Sequence, residues 1–386
     1  MPTFPIYLDN NATTRTDPRV VEAMLPYFSD IYGNAASRSH SFGWAAEQAV
    51  GKARAQVARL IGADPREIVW TSGATEADNL ALKGVMEKFA PSESHLITVV
   101  TEHAAILDSA RHLEQCGYPV TYLEVDCEGR LSLGELRAAI TPQTKMVSVM
   151  MGNNEIGTLQ PVAEIGAICR EHEVLFHSDA TQCIGKIPVS METLPIDLMS
   201  LTAHKMHGPK GVGALYVRRR APRVRLTPQM DGGGHEHGMR SGTLNVPGIV
   251  GFGKAAEISL SELDAKHSHL NSLRDRLIKG ILESIEGTKL NGSRAERLPD
   301  NANISFHGIA ADAILAAMPE VALSTGSACS SESVSASHVL TAIGLGKEAH
   351  SSVRFGVSHY TTSEEIDWVV AKLKEVTLRL RRLSTR

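Results

Sequence analysis

Three side chains that could take part in chemistry each follow a short apolar run typical of a buried strand: His103, Asp179 and Lys205. A fourth run is followed by Gly73-Ala74-Thr75, which begins a predicted helix. Pyridoxal phosphate requires a flat group against its ring, a carboxylate beside its pyridine nitrogen, an amine for a Schiff base and donors for its phosphate. These features meet those requirements in turn. Taken singly, these residues also have an ordinary structural explanation. Asp179 and the Gly-Ala-Thr stretch, for example, would also cap helices.

Two lysines lie in the stretch "SLTAHKMHGPKGVGALYV", Lys205 and Lys210. Lys205 comes just after a predicted strand, with no glycine separating it from the strand end. Lys210 lies inside a Gly-Pro-Lys-Gly turn, which directs a side chain towards solvent. The spacing therefore favours Lys205 as the reactive amine.

These residues can meet in one site only if the strands before them end side by side in one sheet. The β-rich runs are "EIVWTSG", "HLITVV", "VTYLEVD", "MVSVMM", "VLFHSD", "LMSLTA" and "GALYVRR", and helix-like segments separate them. Most are continuously apolar, which is typical of strands covered on both faces. We expect an α/β fold with a large domain, in which helices cover a predominantly parallel seven-stranded sheet. Right-handed crossovers would place the strand ends along one edge.

The composition changes after about Gly253. The later elements predicted are a long helical segment at roughly 255–285, the strand "NANISF", a short helix near 310–318, the strand "SVRFGV" and a helix at about 363–383. This order indicates a smaller α+β domain. We assign residues 15–258 to the large domain and residues 1–14 and 259–386 to the small one. The Ser-rich stretch at about 324–336 is predicted to be a loop.

Charge and cysteine content narrow the possible partners. Lys plus Arg is 39 against 43 for Asp plus Glu, so no basic field exists to bind nucleic acid. The five cysteines are scattered and form no Cys-x-x-Cys pair, which is typical of a reduced chain. Neither a signal sequence nor an apolar stretch long enough to cross a bilayer is evident. We expect a cytoplasmic protein with no nucleic-acid or membrane partner.

Ten motifs resemble one known family, and they occur in the family's order from about Ile6 to the last helix. They are "YLDNNATT", "GNAASRSHSFG", "TSGATEADNLAL", "TEHAAILD", "NNEIGTLQP", "HSDATQCIGK", "AHKMHGPKGVGALYVRR", "GGGHEHGMRSGT", "STGSACSS" and "SSVRFGVSHYTTSEEID". The sequence is similar to cysteine desulfurases of the NifS/IscS type. These belong to the class V aminotransferase-like, fold-type-I pyridoxal phosphate enzymes.

The resemblance implies a role for each candidate residue. Lys205 would bind the cofactor covalently, Asp179 would contact the pyridine nitrogen, Gln182 the ring hydroxyl, and His103 would stack on the ring and move protons. The residues implied around the phosphate are Gly73, Ala74, Thr75, Thr202 and His204, with Thr243 from a second subunit. Asn154 and Arg354 would hold the substrate carboxylate. A homodimer with a shared active site follows from the position of Thr243.

Cys329 is the nucleophile that the resemblance implies. It lies among Ser, Thr, Gly and Ala residues that cannot pack a core, so we expect it to be exposed. Its thiolate would take sulfur from L-cysteine, leaving a persulfide and alanine, and would pass the sulfur to an acceptor protein such as an iron–sulfur scaffold. Val334-Ser335-Ala336 departs from the family's usual residues after the cysteine loop.

The sequence also allows other functions. A selenocysteine lyase or another class V aminotransferase or lyase would share the scaffold, and Cys329 would then be incidental. A sulfur-relay or scaffolding protein could keep the fold without catalysis. A metal site at His204, His207, His235 and His237 has no acidic or thiol ligand at a recognised spacing, so we expect no metal.

Overall fold

The computed structural model describes residues 2–221, 223–325 and 336–384. Its strands are β1 (Ile6–Tyr7), β2 (Ile68–Thr71), β3 (His95–Val99), β4 (Val120–Leu123), β5 (Thr144–Ser148), β6 (Leu175–Asp179), β7 (Leu198–Thr202), β8 (Gly213–Val217), β9 (Thr288–Leu290), β10 (Asn301–Phe306), β11 (Val321–Ala322) and β12 (Ser352–Gly356). Its α-helices are α1 (Pro18–Met24), α2 (Pro26–Ser29), α3 (Ser41–Leu60), α4 (Ala74–Met86), α5 (Ala104–Gln115), α6 (Leu133–Ala139), α7 (Val162–Glu171), α8 (Val246–Ser261), α9 (Leu263–Ser284), α10 (Ala311–Ala316), α11 (His338–Ala342) and α12 (Ser363–Ser384).

The central sheet has seven strands in the order β2-β8-β7-β6-β5-β3-β4. Strand β8 is antiparallel to both of its neighbours, and the other pairs are parallel. All residues of β2, β3, β7 and β8 are buried, as their continuous apolar character predicts. The α/β fold with a predominantly parallel seven-stranded sheet is therefore confirmed.

Helices cover both faces of this sheet. On one face α3 and α8 pack together, and a Cβ added at Gly253 of α8 would lie 2.6 Å from the Cα of Ala53 in α3. A larger residue at 253 would push the two helices apart. On the other face α4 and α5 pack against each other, and their apolar residues share a cluster with Val69 and Leu215.

A second apolar cluster lies around a three-stranded antiparallel sheet in the order β12-β10-β9. Helices α9 and α12 contribute apolar residues to it, and so do Ile6 and Leu8 near the amino terminus. Strand β1 pairs with β11, and Asp9 bridges to Gly356 at the end of β12. This arrangement is compatible with the small domain that the sequence predicts, whose boundaries stay a prediction.

The long helical segment predicted at roughly 255–285 is not one continuous helix. The structure has two helices there, because the chain leaves the helical conformation at Glu262, with φ −111° and ψ 8°. The first of them also begins earlier than predicted, at Val246, where the Asn245 side chain accepts a hydrogen bond from the Gly248 N–H. Asn followed by Val-Pro is a helix-start signal that the composition change at Gly253 obscured.

Candidate active site

A cavity of about 420 Å³ lies at the carboxyl edge of the central sheet. The predicted residues that line it are Gly73, Ala74, Thr75, His103, Asn154, Asp179, Gln182, Thr202, His204, Lys205 and Arg354. Parallel strands deliver most of them, since β2, β3, β6 and β7 all end at this edge. The fold therefore brings together residues that are far apart in sequence, in the kind of place where α/β sheets bind ligands.

Lys205 lines the cavity from a short helical turn that directly follows β7. The side chain is buried, at 9 % exposure, and its Nζ donates to the carbonyl oxygens of Asn11 and Ala12, each at 2.6 Å. Lys210 is exposed, as the glycine turn predicts, but it also lines the cavity. The difference in burial agrees with the sequence preference for Lys205.

Asp179 ends β6, between β5 and β7, and is 5 % exposed. One carboxylate oxygen, Oδ1, accepts a hydrogen bond from the Thr181 N–H at 2.8 Å. This bond holds the carboxylate at the end of its strand, where it lines the cavity. A carboxylate in this position is the group that a ring nitrogen needs in order to remain protonated.

Two further carboxyl groups lie buried near Asp179. Burial raises the pKa of Asp78 well above its usual value, and the charge of Asp179 raises it further. Burial also raises the pKa of Glu102, whose Oε1 accepts a hydrogen bond from the Met150 N–H at 2.6 Å. Both shifts favour uncharged acids behind the cavity. Sequence reasoning missed Asp78, which lies inside an ordinary amphipathic helix pattern.

The start of α4 forms another side of the cavity. A Cβ added at Gly213 of β8 would lie 2.6 Å from the Cα of Gly73, so the strand backbone packs directly on the helix start. Thr202 and His204 line the same cavity. Burial, and then the charges of Lys205 and Lys210, lowers the pKa of His204 to about 4. A helix N-terminus with hydroxyl and neutral imidazole groups nearby is suited to a phosphate.

His103 caps helix α5. Its Nδ1 accepts a hydrogen bond from the Ala105 N–H at 3.1 Å. Because Nδ1 acts as the acceptor, the proton of the neutral ring lies on Nε2. The ring is thus held in one orientation by the helix that it begins, and it lines the cavity.

Arg354 lies in the middle of β12 and is 1 % exposed. Its Nη1 donates to the carbonyl oxygen of Asn154 at 3.0 Å and its Nη2 to Oδ1 of Asp9 at 3.0 Å. Among the described residues, its buried Nε has no hydrogen-bond partner. A buried guanidinium with an unsatisfied donor beside a cavity is a suitable group for a carboxylate ligand.

Two predicted site residues, Cys329 and Thr243, need separate mention. Cys329 falls in 326–335, outside the described residues. Thr243 is exposed and does not line the cavity of its own chain. The proposed roles of both stay predictions.

The amino-terminal segment is what sequence reasoning missed. Asn11 and Ala12 bind Lys205 through main-chain carbonyls, and Asp9 binds Arg354. The motif "YLDNNATT" contains all three residues and carried the only available signal. Any residue type can supply a main-chain carbonyl, so the identities of Asn11 and Ala12 do not reveal that their carbonyls bind Lys205.

No group of three or more His, Cys, Asp or Glu residues comes together as a metal site in 2–221, 223–325 and 336–384. In the same part of the chain, none of the helices is both long enough and apolar enough to cross a membrane.

Comparison with known families places this cavity in context. Residues 6–369 match the family model described as aminotransferase class-V. The chain belongs to this family of enzymes.

Individual relatives are similar to this chain over nearly its whole length. The chain is 54% identical over 382 residues to a cysteine desulfurase IscS of Anaeromyxobacter dehalogenans, with 99% of this chain and 94% of that protein covered. A solved structure named NifS-like protein has a TM-score of 0.90 and 39% identity, covering 97% of this chain and all of the other, 100%. A structure of SspA in complex with cysteine has a TM-score of 0.82 and 36% identity, covering 92% of this chain and 100% of that one.

Proposed function

We propose that this protein is a pyridoxal phosphate-dependent cysteine desulfurase, which converts L-cysteine to L-alanine and transfers the sulfur to Cys329. The observation that carries the proposal is that a buried amine, Lys205, and a buried guanidinium, Arg354, line the same cavity. The names of relatives at more than half identity support the same activity, and the cysteine complex of SspA supports the substrate.

The donor set of the cavity fits pyridoxal phosphate. Lys205 would hold its aldehyde carbon, Asp179 its ring nitrogen and Gln182 its ring hydroxyl, while His103 would stack on the ring. The groups suited to its phosphate are the start of α4 at Gly73, Ala74 and Thr75, together with Thr202, His204 and Thr243 of a second subunit. When bound, this cofactor supplies an electron-accepting ring that weakens bonds around the Cα of an amino acid.

The protein's own residues orient the substrate and move its protons. Arg354 binds the carboxylate of L-cysteine, and Asn154, whose carbonyl holds the guanidinium, lies beside it. Lys205 moves a proton at its Nζ. His103 exchanges a proton at Nε2, the nitrogen that does not cap α5.

The sulfur step joins two sulfur atoms. The Cys329 thiolate attacks the sulfur of the bound substrate, so that an S–S bond forms and the C–S bond breaks. The electron pair of the C–S bond stays on the carbon fragment, which takes up a proton and leaves as alanine. The enzyme keeps the outer sulfur as a persulfide, which an acceptor protein such as an iron–sulfur scaffold then removes.

Mass spectrometry of the cofactor-loaded protein after brief exposure to L-cysteine tests this proposal. One added sulfur is expected on the Cys329 peptide, and Cys329→Ala should lose alanine formation as well. Cys116→Ser and Cys127→Ser are matched controls, because both cysteines are exposed. If Cys329→Ala forms alanine at the normal rate, the protein is instead a selenocysteine lyase or another class V enzyme.

We also propose a homodimer with shared active sites. Large apolar side chains are exposed near the amino terminus, at Leu25, Phe28, Tyr32, Phe42 and Trp44. A surface of this kind marks an interaction site. Sedimentation velocity tests the dimer, and mixing the inactive variants Lys205→Ala and Thr243→Ala should restore activity in hybrid dimers if Thr243 serves the other subunit.

The proposed compartment is the cytoplasm. Four cysteines in the described part of the chain are free thiols, which agrees with a reducing environment. Cys329 must also be reduced to act as a thiolate nucleophile. Fractionation of cells that contain the protein tests this assignment.

A further inference from the structure

A buried ion pair lies behind the cavity. Lys186 Nζ is 2.6 Å from Asp300 Oδ2, and the two side chains are 7% and 2% exposed. Lys186 follows β6 of the central sheet, whereas Asp300 directly precedes β10 of the second sheet. The pair therefore joins the two sheets at a position next to the residues that line the cavity.

Burial of an ion pair is weak evidence that it stabilises a fold, because desolvation of both charges offsets their attraction. The additional contacts of the pair are more informative. Lys186 Nζ also donates to Oε1 of Gln182 at 3.1 Å, and Asp300 Oδ2 also accepts from Nδ2 of Asn11 at 3.1 Å. Both contacted residues line the cavity.

The charges determine which way these two amides face. An ammonium group only donates hydrogen bonds, so the oxygen of the Gln182 amide must face Lys186. A carboxylate only accepts, so the nitrogen of the Asn11 amide must face Asp300. The oxygen of that amide is held from the other side, because Asn11 Oδ1 accepts from Nδ2 of Asn301 at 3.0 Å.

The orientation of Gln182 has a consequence in the cavity. With Oε1 facing Lys186, Nε2 donates to the main-chain oxygen of Asn11 at 2.9 Å. The same oxygen accepts from Lys205 Nζ at 2.6 Å. A reversed amide would place two donors together at Lys186 and two acceptors together at Asn11, and both hydrogen bonds would be lost.

We propose that the Lys186–Asp300 ion pair positions the Gln182 amide, so that its N–H side is presented to the ring hydroxyl of the cofactor. Lys186 and Asp300 are positioning residues, since neither is among the residues lining the cavity. The proposal rests on the proposed function, which assigns the ring hydroxyl to Gln182. A hydrogen bond donated to that oxygen stabilises its anionic form.

A pH titration of the visible absorbance band of the cofactor-loaded protein tests this role without using activity. Gln182→Leu is expected to raise the titration midpoint by about one pH unit, because the donor to the anionic oxygen is lost. Lys186→Met should reproduce more than about half of that shift, and the double variant should shift no further than Gln182→Leu alone. The affinity of the stripped protein for pyridoxal phosphate, measured by tryptophan fluorescence, should fall about tenfold in each single variant.

Two controls separate positioning from loss of stability. Lys186→Met/Asp300→Leu removes both charges, folds without an unpaired buried charge and should give the same midpoint shift as Lys186→Met. Arg218→Met breaks the ion pair with Asp197 at the amino end of β7, away from the cavity. It should lower the urea midpoint and leave the absorbance titration unchanged.

The outcomes are distinct. A normal midpoint in Lys186→Met/Asp300→Leu, together with a shifted midpoint in Gln182→Leu, overturns this proposal and leaves the proposed function in place. Additive shifts in the Gln182→Leu/Lys186→Met variant overturn it as well. A wild-type protein that gives no visible band with pyridoxal phosphate contradicts the proposed function itself.

Discussion

Two walls of the cavity are built in different ways. The strand-end wall consists of residues 72–75, 103, 179, 202, 204 and 205, each at or just after the end of a strand in the central sheet. The second-sheet wall consists of residues 11–13 and Arg354, held by Asp9. Local strand geometry places the first wall, whereas contacts between distant segments place the second. Substitutions in the two walls should therefore affect different steps.

The largest expected effect lies in the strand-end wall. Lys205→Ala should abolish the visible band with pyridoxal phosphate and lower turnover by at least about a thousandfold, because it removes the reactive amine. Lys210→Ala is the matched control, since Lys210 lines the same cavity but is exposed. Absorbance spectra and alanine assays measure both. A normal band in Lys205→Ala would refute the assignment.

In the second-sheet wall, Arg354→Ala should chiefly raise KM for L-cysteine. A hydrogen bond to a charged group contributes roughly 1.5–3 kcal/mol, which corresponds to about 10- to 100-fold. The visible band should remain, because Lys205 and Asp179, which would hold the cofactor, lie in the other wall. Saturation kinetics check this expectation, and an unchanged KM would count against carboxylate binding by Arg354.

A smaller effect is expected at Asp9, which holds Arg354 from behind. Asp9→Asn removes the charge but keeps an oxygen, so KM should rise by only about three- to tenfold. Ser324→Ala provides the control, because the Ser324 hydroxyl donates to the same Asp9 oxygen at 2.9 Å. If Ser324→Ala raised KM as much as Asp9→Asn does, Asp9 would act through Ser324 rather than through Arg354.

The buried groups behind the strand-end wall predict a pH dependence of stability. Burial lowers the pKa of His177 to about 3, so between pH 6.5 and 3 the unfolded chain binds more protons than the folded chain. Stability should therefore fall on acidification, and His177 should account for about 2 kcal/mol of the loss between pH 7 and pH 5. Urea midpoints measured at both pH values check this, with a flatter pH dependence expected for His177→Asn.

Asp78 should have the opposite effect in the same experiment. Its raised pKa means that the folded protein keeps a proton which the unfolded chain releases, so its contribution to stability falls as the pH rises. Asp78→Asn should gain stability relative to the wild type between pH 5 and pH 8. A constant difference over that range would show that Asp78 is ionised in the folded protein.

The strand-end wall could be predicted because its positions depend on local chemistry. Apolar runs of strand length specified β6 and β7, and the residues that follow them, such as Asp179 and Lys205, must then lie at the sheet edge. The break at Glu262 was not predicted, because neither a glycine nor a proline marks it in the sequence. Arg354 was assigned only through resemblance to a family, because the sequence of its own strand does not show which groups its side chain would contact.

The sequence by itself determined the class of fold, and it predicted the sheet edge for a ligand and the amine and carboxylate that we propose for a cofactor there. These properties follow from strand periodicity and from the direction of parallel strands. Only the tertiary structure decided that the carbonyls of Asn11 and Ala12 hold Lys205, that Asp9 holds Arg354 and that a Lys186–Asp300 pair lies behind Gln182. Such contacts join segments far apart in the chain, and their partners are specified by packing rather than by any local pattern.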